Sequence, residues 1–177
     1  YNELAWFDGK ADYCTIGDDN NFSFGDSSND SAMSISAWIF MNDATSFPII
    51  TKDTGVDNRE WEFRVGTGDK LTFILWDDST NAYQGRKYNT ALTSYEGQWI
   101  HVVATYSGNE SDPDANISLY LNGEKVDDAN NTSGSYTAME NKPAVVDIGR
   151  SARLNVFAEG AITEVSIWGA ELTQAQI

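Results

Sequence analysis

The sequence predicts an all-β protein, a two-sheet antiparallel jelly-roll sandwich. Apolar and polar residues alternate in short runs, which is the period of half-buried strands rather than of helices. Long polar segments rich in Gly, Asn, Asp and Ser separate these runs, as expected of loops at the ends of a sandwich. The 177-residue chain has one cysteine, which excludes the cysteine pair of immunoglobulin domains and favours the jelly roll.

Each apolar run has the length of an antiparallel strand. In "LYLNGEKV", the Asn122-Gly123 pair lies between two strand-like arms. This pair predicts a two-residue type I′ hairpin, because both turn residues need a positive φ. The helical candidate is a short turn over 170–177. The clearest predicted strands span 33–41, 60–65, 71–76, 99–106, 117–121 and 162–168.

The length of the chain suits a single domain over residues 1–177. Its net charge is −16, so we expect no nucleic-acid partner, since contacts to phosphates need a cluster of cations. No apolar run approaches the roughly 20 residues that span a bilayer, and we expect no membrane insertion. Because the sequence begins at Tyr1 without a Met, we expect a module excised from a larger secreted or surface protein.

Two stretches combine aromatic rings with hydrogen-bonding side chains, and this combination binds sugars by stacking and by contacts to hydroxyl groups. The first is 58–62, and the second is 76–86, which we interpret as a recognition loop. The alternative is that the tryptophans of both stretches lie in the core and that their neighbours form a solvated rim. The predicted glycan-binding residues are Arg59, Trp61, Trp76, Asp77, Asn81, Tyr83 and Arg86.

Several motifs follow one another along nearly the whole chain. They are "FDGKADYCTIG" at 7–17, "SISAWIF" at 34–40, "PIITKD" at 48–53, "GQWIHVVATYSG" at 97–108, "ISLYLNGEKV" at 117–126, "VVDIGRS" at 145–151 and "GAITEVSIWGAELTQAQI" at 160–177. In this order they resemble the laminin-G-like group of the concanavalin A-like lectin/glucanase superfamily. The resemblance implies a jelly roll in which Trp38 and Trp99 pack in the core, Trp168 belongs to the framework and His101 is structural. It implies no reaction, because a fold alone does not determine function.

The opening stretch "FDGKADY" places the carboxylates of Asp8 and Asp12 on either side of a turn. A calcium ion takes roughly six to eight oxygen ligands, which carboxylates and the carbonyls of an irregular turn supply. The resemblance implies that Glu164, on the last strand, completes such a site. We therefore predict a structural calcium ion at Asp8, Asp12 and Glu164. The alternative is a plain turn made by Asp8-Gly9 and capped by Asp12.

A glycoside hydrolase of this superfamily would need a pair of catalytic carboxylates, in the laminarinase-type pattern Glu-x-Asp-x-x-Glu that the sequence lacks. The nearest match is Glu60-Trp61-Glu62, which we interpret as a solvated strand face. We therefore expect a noncatalytic recognition module of a secreted, cell-surface or virion-surface protein. Because the net charge repels anionic glycans, its expected partner is a neutral polysaccharide or glycoconjugate.

The alternative function is a structural or adhesion module that makes protein contacts on a virion, a fibre or a cell surface. A glycoside hydrolase is the third option.

Overall fold

The computed structural model describes residues 5–177, apart from the side chain of Asp114. One helical turn, α1 (Pro113–Asn116), and two 3-10 turns, Asn20–Phe22 and Leu92–Tyr95, lie in the loops. The strands of the described residues are β1 (Ala5–Asp8), β2 (Cys14–Ile16), β3 (Met33–Met41), β4 (Phe47–Gly55), β5 (Asn58–Gly66), β6 (Lys70–Asp77), β7 (Ala82–Lys87), β8 (Trp99–Tyr106), β9 (Ile117–Leu121), β10 (Glu124–Lys125), β11 (Ala129–Asn130), β12 (Val146–Ile148), β13 (Arg150–Ser151), β14 (Val156–Phe157) and β15 (Glu159–Trp168).

These strands form two large sheets. One has six strands in the order β1-β15-β3-β8-β9-β10, and the other has seven in the order β11-β7-β6-β5-β4-β12-β2. Strands β13 and β14 form a separate ribbon. The pairings in all three sheets are antiparallel. The predicted all-β jelly-roll sandwich is confirmed.

The core lies between the two large sheets. Every second residue of β3 points into it and is fully buried, as the alternation of a strand requires: Met33, Ile35, Ala37, Ile39 and Met41. From the seven-stranded sheet, Phe63 and Phe73 meet edge to face with their ring centroids 6.0 Å apart. The inner faces make the core, so the outer faces of the two sheets lie on the surface of the sandwich, as the connecting loops do.

Most local predictions match the structure. Three predicted strands coincide with β3, β8 and β9, and the other three lie within β5, β6 and β15. Asn122 and Gly123, with φ of 51° and 83°, form the predicted turn between β9 and β10. Two predictions are wrong, because 170–177 forms turns without a helix and 76–86 forms the β6–β7 hairpin instead of a loop.

Candidate functional site

Trp61 lies in the core, so its assignment to the glycan site is wrong. Its side chain is 0% exposed, and its indole Nε1 donates a hydrogen bond to the backbone oxygen of Phe22 at 2.9 Å. Alternation along β5 places Trp61 on the same side as Phe63, the side that faces the other sheet. The ring therefore packs the sandwich and does not reach its surface.

The assignment of Arg86 to the site is also wrong. Successive side chains of β7 point to opposite faces, so Arg86 lies on the opposite face from Tyr83. Its buried guanidinium donates to the carboxylate and the backbone oxygen of Asp127, at 3.2 and 3.0 Å, and to the side chain of Asn130. Arg86 therefore fixes the segment after β10 against β7.

Asp77 and Asn81 shape the turn that joins β6 to β7. The buried Asp77 carboxylate accepts hydrogen bonds from the backbone N–H groups of Thr80 and Thr137, at 3.3 and 2.9 Å. Asn81 has a φ of 56°, a left-handed conformation that asparagine tolerates well. Asp77 thus holds the hairpin in place, and Asn81 is exposed at its tip.

The remaining three predicted residues come together on the outer face of the seven-stranded sheet. Trp76 pairs with Tyr83 across β6 and β7, and their ring centroids are 4.8 Å apart. The guanidinium carbon of Arg59 lies 4.3 Å from the centroid of the Trp76 ring, and Arg59 also forms a buried ion pair with Asp78. These neighbours cover the Trp76 ring, which is 7% exposed.

Trp76 and Tyr83 line a groove of about 460 Å³ on this face. Its charged lining consists of four cations and one carboxylate: Arg64, Lys70, Lys87, Arg153 and Glu62. Thr67, Thr72, Ile74 and Asn131 complete the lining. We call this feature the cationic groove, because its lining is positive although the whole chain has a net charge of −16.

A network of ion pairs forms the floor of the cationic groove. The two oxygens of Glu62 accept from different arginines, Oε2 from Arg64 Nε at 3.1 Å and Oε1 from Arg153 Nη2 at 2.7 Å. Arg153 also pairs with Asp53. Burial raises the pKa of Asp53 to about 6, although the adjacent Arg153 acts in the opposite direction.

Glu60 and Glu62, the nearest match to a hydrolase pair, are both buried rather than solvated as expected. The β4–β5 register shifts between the Lys52–Trp61 and Asp53–Arg59 pairs, which leaves Glu60 as the extra residue of a β-bulge. The Lys52 Nζ donates to Glu60 Oε1 at 2.6 Å. Burial raises the pKa of Glu60. Glu60 is thus paired with Lys52, and Glu62 is paired with Arg64 and Arg153.

The three predicted calcium ligands do not come together, so that set is wrong. Asp8 pairs with Glu159 of β15, and Glu164 lies five residues further along the same strand. At the usual rise of a strand this separates Asp8 from Glu164 by roughly 16 Å. Within residues 5–177, no three His, Cys, Asp or Glu side chains are grouped so that they could hold a metal ion.

The plain-turn alternative describes the opening stretch better, with Asp8 rather than Asp12 as the capping residue. Asp8 Oδ1 accepts from the backbone N–H groups of Lys10, Ala11 and Asp12 at 2.9, 3.0 and 3.3 Å. These hydrogen bonds lower the pKa of Asp8. Calcium binding by the chain stays a prediction, and melting temperatures with and without a chelator test it, since a ligand stabilises the state that binds it.

The outer face of the six-stranded sheet has exposed aromatic rings. Trp6, Phe40 and Trp99 lie in register on β1, β3 and β8, and Ala161 of β15 separates the first two. The ring centroids are 6.0 Å apart from Trp6 to Phe40 and 5.7 Å apart from Phe40 to Trp99. The exposed fractions of Trp6 and Trp99 are 54% and 42%.

A second row lies beside the first. Trp38 of β3 pairs with Thr163 of β15 and with His101 of β8, and the Trp38 and His101 ring centroids are 5.2 Å apart. Neither row contains Asp, Glu, Lys or Arg. We call the five rings of Trp6, Trp38, Phe40, Trp99 and His101 the aromatic face.

The expectation that Trp38 and Trp99 pack in the core is therefore wrong, and Trp168 is also exposed, at the end of β15. The sequence contained a signal that these rings point outward. Trp38 has the same parity along β3 as Ser34 and Ser36, the polar positions, whereas the aliphatic residues occupy the other parity. Alternation thus placed Trp38 on the polar side of its strand.

A laminin-G-like sequence profile of the concanavalin A-like lectin/glucanase superfamily matches residues 8–177. The chain belongs to this superfamily as a laminin-G-like domain. Part of the laminin-G-like domain is similar to pappalysin-1 of Mus musculus, with 36% identity over 98 residues. That match covers 53% of the domain and 6% of the mouse protein.

The solved structures that resemble the laminin-G-like domain include two binding domains. The binding domain of Paraclostridial Mosquitocidal Protein 1 has 14% identity and a TM-score of 0.65, over 98% of this chain and 45% of that one. The binding domain of botulinum neurotoxin serotype D has 17% identity and a TM-score of 0.64, over 99% of this chain and 43% of that one. At these identities the likeness shows the fold alone.

The laminin-G-like fold and its two chemically different outer faces suit a module that binds carbohydrate or protein. Among the helical segments of residues 5–177, none is long and apolar enough to span a membrane.

Proposed function

We propose that this laminin-G-like domain is a noncatalytic recognition module that binds a neutral polysaccharide or glycoconjugate through the aromatic face. Its place would be on a secreted, cell-surface or virion-surface protein. The observation that supports the proposal is the row of Trp6, Phe40 and Trp99, one ring per strand on three strands of one sheet.

The geometry of the row suits a chain of sugar rings. Each aromatic ring offers an apolar surface on which the C–H groups of a sugar can stack. Because the centroids follow one another at 6.0 and 5.7 Å, adjacent aromatic rings can contact neighbouring parts of one extended ligand. His101, at the edge of the second row, adds ring nitrogens for hydrogen bonds to hydroxyl groups.

The charge of the aromatic face favours a neutral ligand. Its two rows contain no side chain of Lys or Arg, so an anionic group on the ligand would find no ion-pair partner there. Burial lowers the pKa of His101, and the nearby carboxylate of Glu164 acts in the opposite direction, so the charge beside the face is negative. The net charge of −16 also opposes the approach of a polyanion. A neutral glycan avoids both costs.

Affinity electrophoresis on a panel of neutral glucans, mannans and galactans tests the proposal. We expect dissociation constants in the micromolar to millimolar range, about −8 to −4 kcal/mol, because stacking on a flexible glycan offsets only part of its lost freedom. Trp99→Ala should weaken retention by about tenfold. The matched control is Tyr13→Ala, which removes a ring that is equally exposed, at 42%, from another part of the surface.

Equal retention of Trp99→Ala and wild type would overturn the assignment to the aromatic face. A wild-type protein that none of the neutral glycans retards would overturn glycan binding and favour the protein-contact alternative, since exposed tryptophans are also typical anchors of protein interfaces.

A further inference from the structure

We infer that the cationic groove is a second binding site, distinct from the aromatic face, and that it takes an anionic sugar, one that bears a carboxylate or a sulfate. This inference goes beyond the proposed function, which concerns a neutral glycan on the opposite outer face of the sandwich.

The first observation is the concentration of positive charge. The chain has eleven Lys and Arg residues against twenty-seven Asp and Glu, yet four of the eleven line this one groove and a single carboxylate lines it with them. The local field of the groove is therefore opposite in sign to that of the whole molecule.

The second observation is that the floor holds two of these cations in place. Glu62 accepts from Arg64 and Arg153, and Asp53 accepts from Arg153. A guanidinium has five N–H donors in a fixed plane, so Arg64, held by one carboxylate, and Arg153, held by two, can still present further donors to another anion. Gly66 leaves room for this arrangement, because a Cβ at that position would come within 2.4 Å of Arg64 Nη1.

The other two cations, Lys70 and Lys87, give the groove an excess of positive over negative charge. Lys70 and Lys87 lie on the neighbouring strands β6 and β7, where Lys87 pairs with Thr72. The Lys70 Nζ contacts the side-chain oxygen of Asn89 at 3.2 Å. Neither ammonium is part of an ion pair within residues 5–177. Two charges are thus available to a bound anion.

The third observation is an unpartnered donor in the lining. The Nε1 of Trp76 is buried and has no hydrogen-bond acceptor among the described residues, although such groups are normally paired. Trp76 lines the groove together with Tyr83. Because this nitrogen is buried, a ligand oxygen would reach it only after a shift of the Arg59 and Arg153 side chains that lie over the ring, whereas the exposed part of the Tyr83 ring is open to contact with a sugar.

The size of the groove and its surroundings favour a short ligand. A volume of about 460 Å³ falls within the range of small-molecule sites, about 300–1,000 Å³. A polyanion such as a nucleic acid would bring its further charges against a surface of net charge −16. A short saccharide places one or two anionic groups in the groove and its uncharged hydroxyl groups beside Thr67, Thr72 and Asn131.

Calorimetry at low salt tests the inference with three probes: a galacturonate disaccharide, the same disaccharide with its carboxyl groups reduced, and a sulfated galactose disaccharide. We expect binding of at least one anionic probe and about tenfold weaker binding, or none, of the reduced probe. The two anionic probes distinguish a carboxylate from a sulfate. The chain has six tryptophans, so the independent readout is quenching of the intrinsic fluorescence by the probe in wild type that is absent in Trp76→Phe.

Lys87→Gln and the double variant Lys70→Gln/Lys87→Gln should weaken the anionic probe by about fivefold and about tenfold or more. The matched control is Lys10→Gln, which removes the same charge from the exposed turn after β1 and should change binding by less than about twofold. Both lysines are partly exposed, so a melting temperature close to that of wild type will show that the variants fold.

Three results would overturn the inference: no binding of either anionic probe by wild type, equal binding of the reduced probe, or unchanged binding by the folded double variant. Trp99→Ala should bind the anionic probe like wild type, and Lys87→Gln should bind neutral polysaccharide like wild type. The failure of one site is therefore distinguishable from the failure of the other.

Discussion

The outer faces of the two sheets are built by the same alternation of residues, but they present different surfaces. On the seven-stranded sheet, Glu62, Arg64 and Arg153 form an ion-pair network under a groove lined by further cations. On the six-stranded sheet, the rows of the aromatic face contain no Asp, Glu, Lys or Arg. The net charge of the chain opposes polyanions in general, but the local charges of each face determine which short ligand it suits, since charges act over roughly 8–10 Å at ordinary salt.

The comparison extends to the tryptophans. Trp61, on the seven-stranded sheet, points inward and is fully buried, whereas Trp38 and Trp99, on the six-stranded sheet, point outward. The same residue type thus packs the core in one sheet and is exposed on the outer face of the other.

The largest expected effect separates these two roles. Trp61→Ala should lower the free energy of unfolding by about 3–5 kcal/mol, because it leaves a cavity in the core. Trp99→Ala should lower it by no more than about 1 kcal/mol, because the ring is exposed. Urea denaturation of both variants measures the difference, and equal losses would contradict the assignment of Trp61 to the core and Trp99 to the surface.

The ion-pair floor of the cationic groove should give the next largest effect. Arg153→Gln removes the cation that faces Asp53 and Glu62, and we expect a loss of about 3 kcal/mol at pH 7.5, because the buried Asp53 loses its cation and the buried Glu62 keeps only Arg64. The Asp53 carboxylate would keep the hydrogen bond that it accepts from the backbone N–H of Gly55 at 3.1 Å. A loss below about 0.5 kcal/mol would contradict this account of the floor.

The penalty of Arg153→Gln should shrink at acid pH. The native pKa of Asp53 is raised to about 6, above its value in the unfolded chain. Its native carboxyl group therefore binds a proton more tightly, and its titration lowers the free energy of unfolding as the pH rises from about 4 through about 6. Loss of Arg153 raises the native pKa of Asp53 further, so the fall continues to higher pH and becomes larger. Thermal melts of wild type and Arg153→Gln at pH values from about 4.5 to about 7.5 measure the change. Parallel curves of melting temperature against pH for the two proteins would contradict it.

A change in salt concentration should alter the ligand affinities of the two faces by different factors, and this effect should be smaller than those above. When the ionic strength rises from about 20 mM to about 200 mM, affinity for an anionic saccharide in the cationic groove should fall by about tenfold. Affinity for a neutral glycan on the aromatic face should change by less than about twofold, since stacking does not depend on charge. Calorimetric titrations at the two salt concentrations measure both, and equal sensitivity would contradict the difference between the faces.

The smallest expected effect concerns the hairpin beside the aromatic face. Gly123→Val should lower the free energy of unfolding by about 1 kcal/mol, because valine is strained at a φ of 83°. The hairpin also supports His101, whose backbone N–H donates to the side chain of Asn122 at 2.9 Å. As a control, Gly17→Val lies at a position without a positive φ and with open space around it. Equal losses in the two variants would contradict the turn strain.

The sequence alone predicted the local structure that depends on neighbours along the chain. The bounds of β3, β8 and β9 follow from period-two runs, and the Asn122-Gly123 turn follows from the positive φ that both residues need. The inner position of Arg86 could also have been predicted once β7 was recognised, because Arg86 and Tyr83 differ in parity. The polar "DDSTNAYQGR" segment hid that strand.

Other features were decided only by the tertiary structure. Alternation divides a strand into two faces, but the side on which another sheet packs determines that Trp61 is buried and Trp99 exposed. Strand pairing likewise determines that Asp8 meets Glu159 and not Glu164. The cationic groove joins Glu62 and Arg64 of β5, Lys70 of β6, Lys87 of β7 and the distant Arg153. No local pattern in the sequence links these residues, because antiparallel pairing and long loops bring them together only in the folded sandwich.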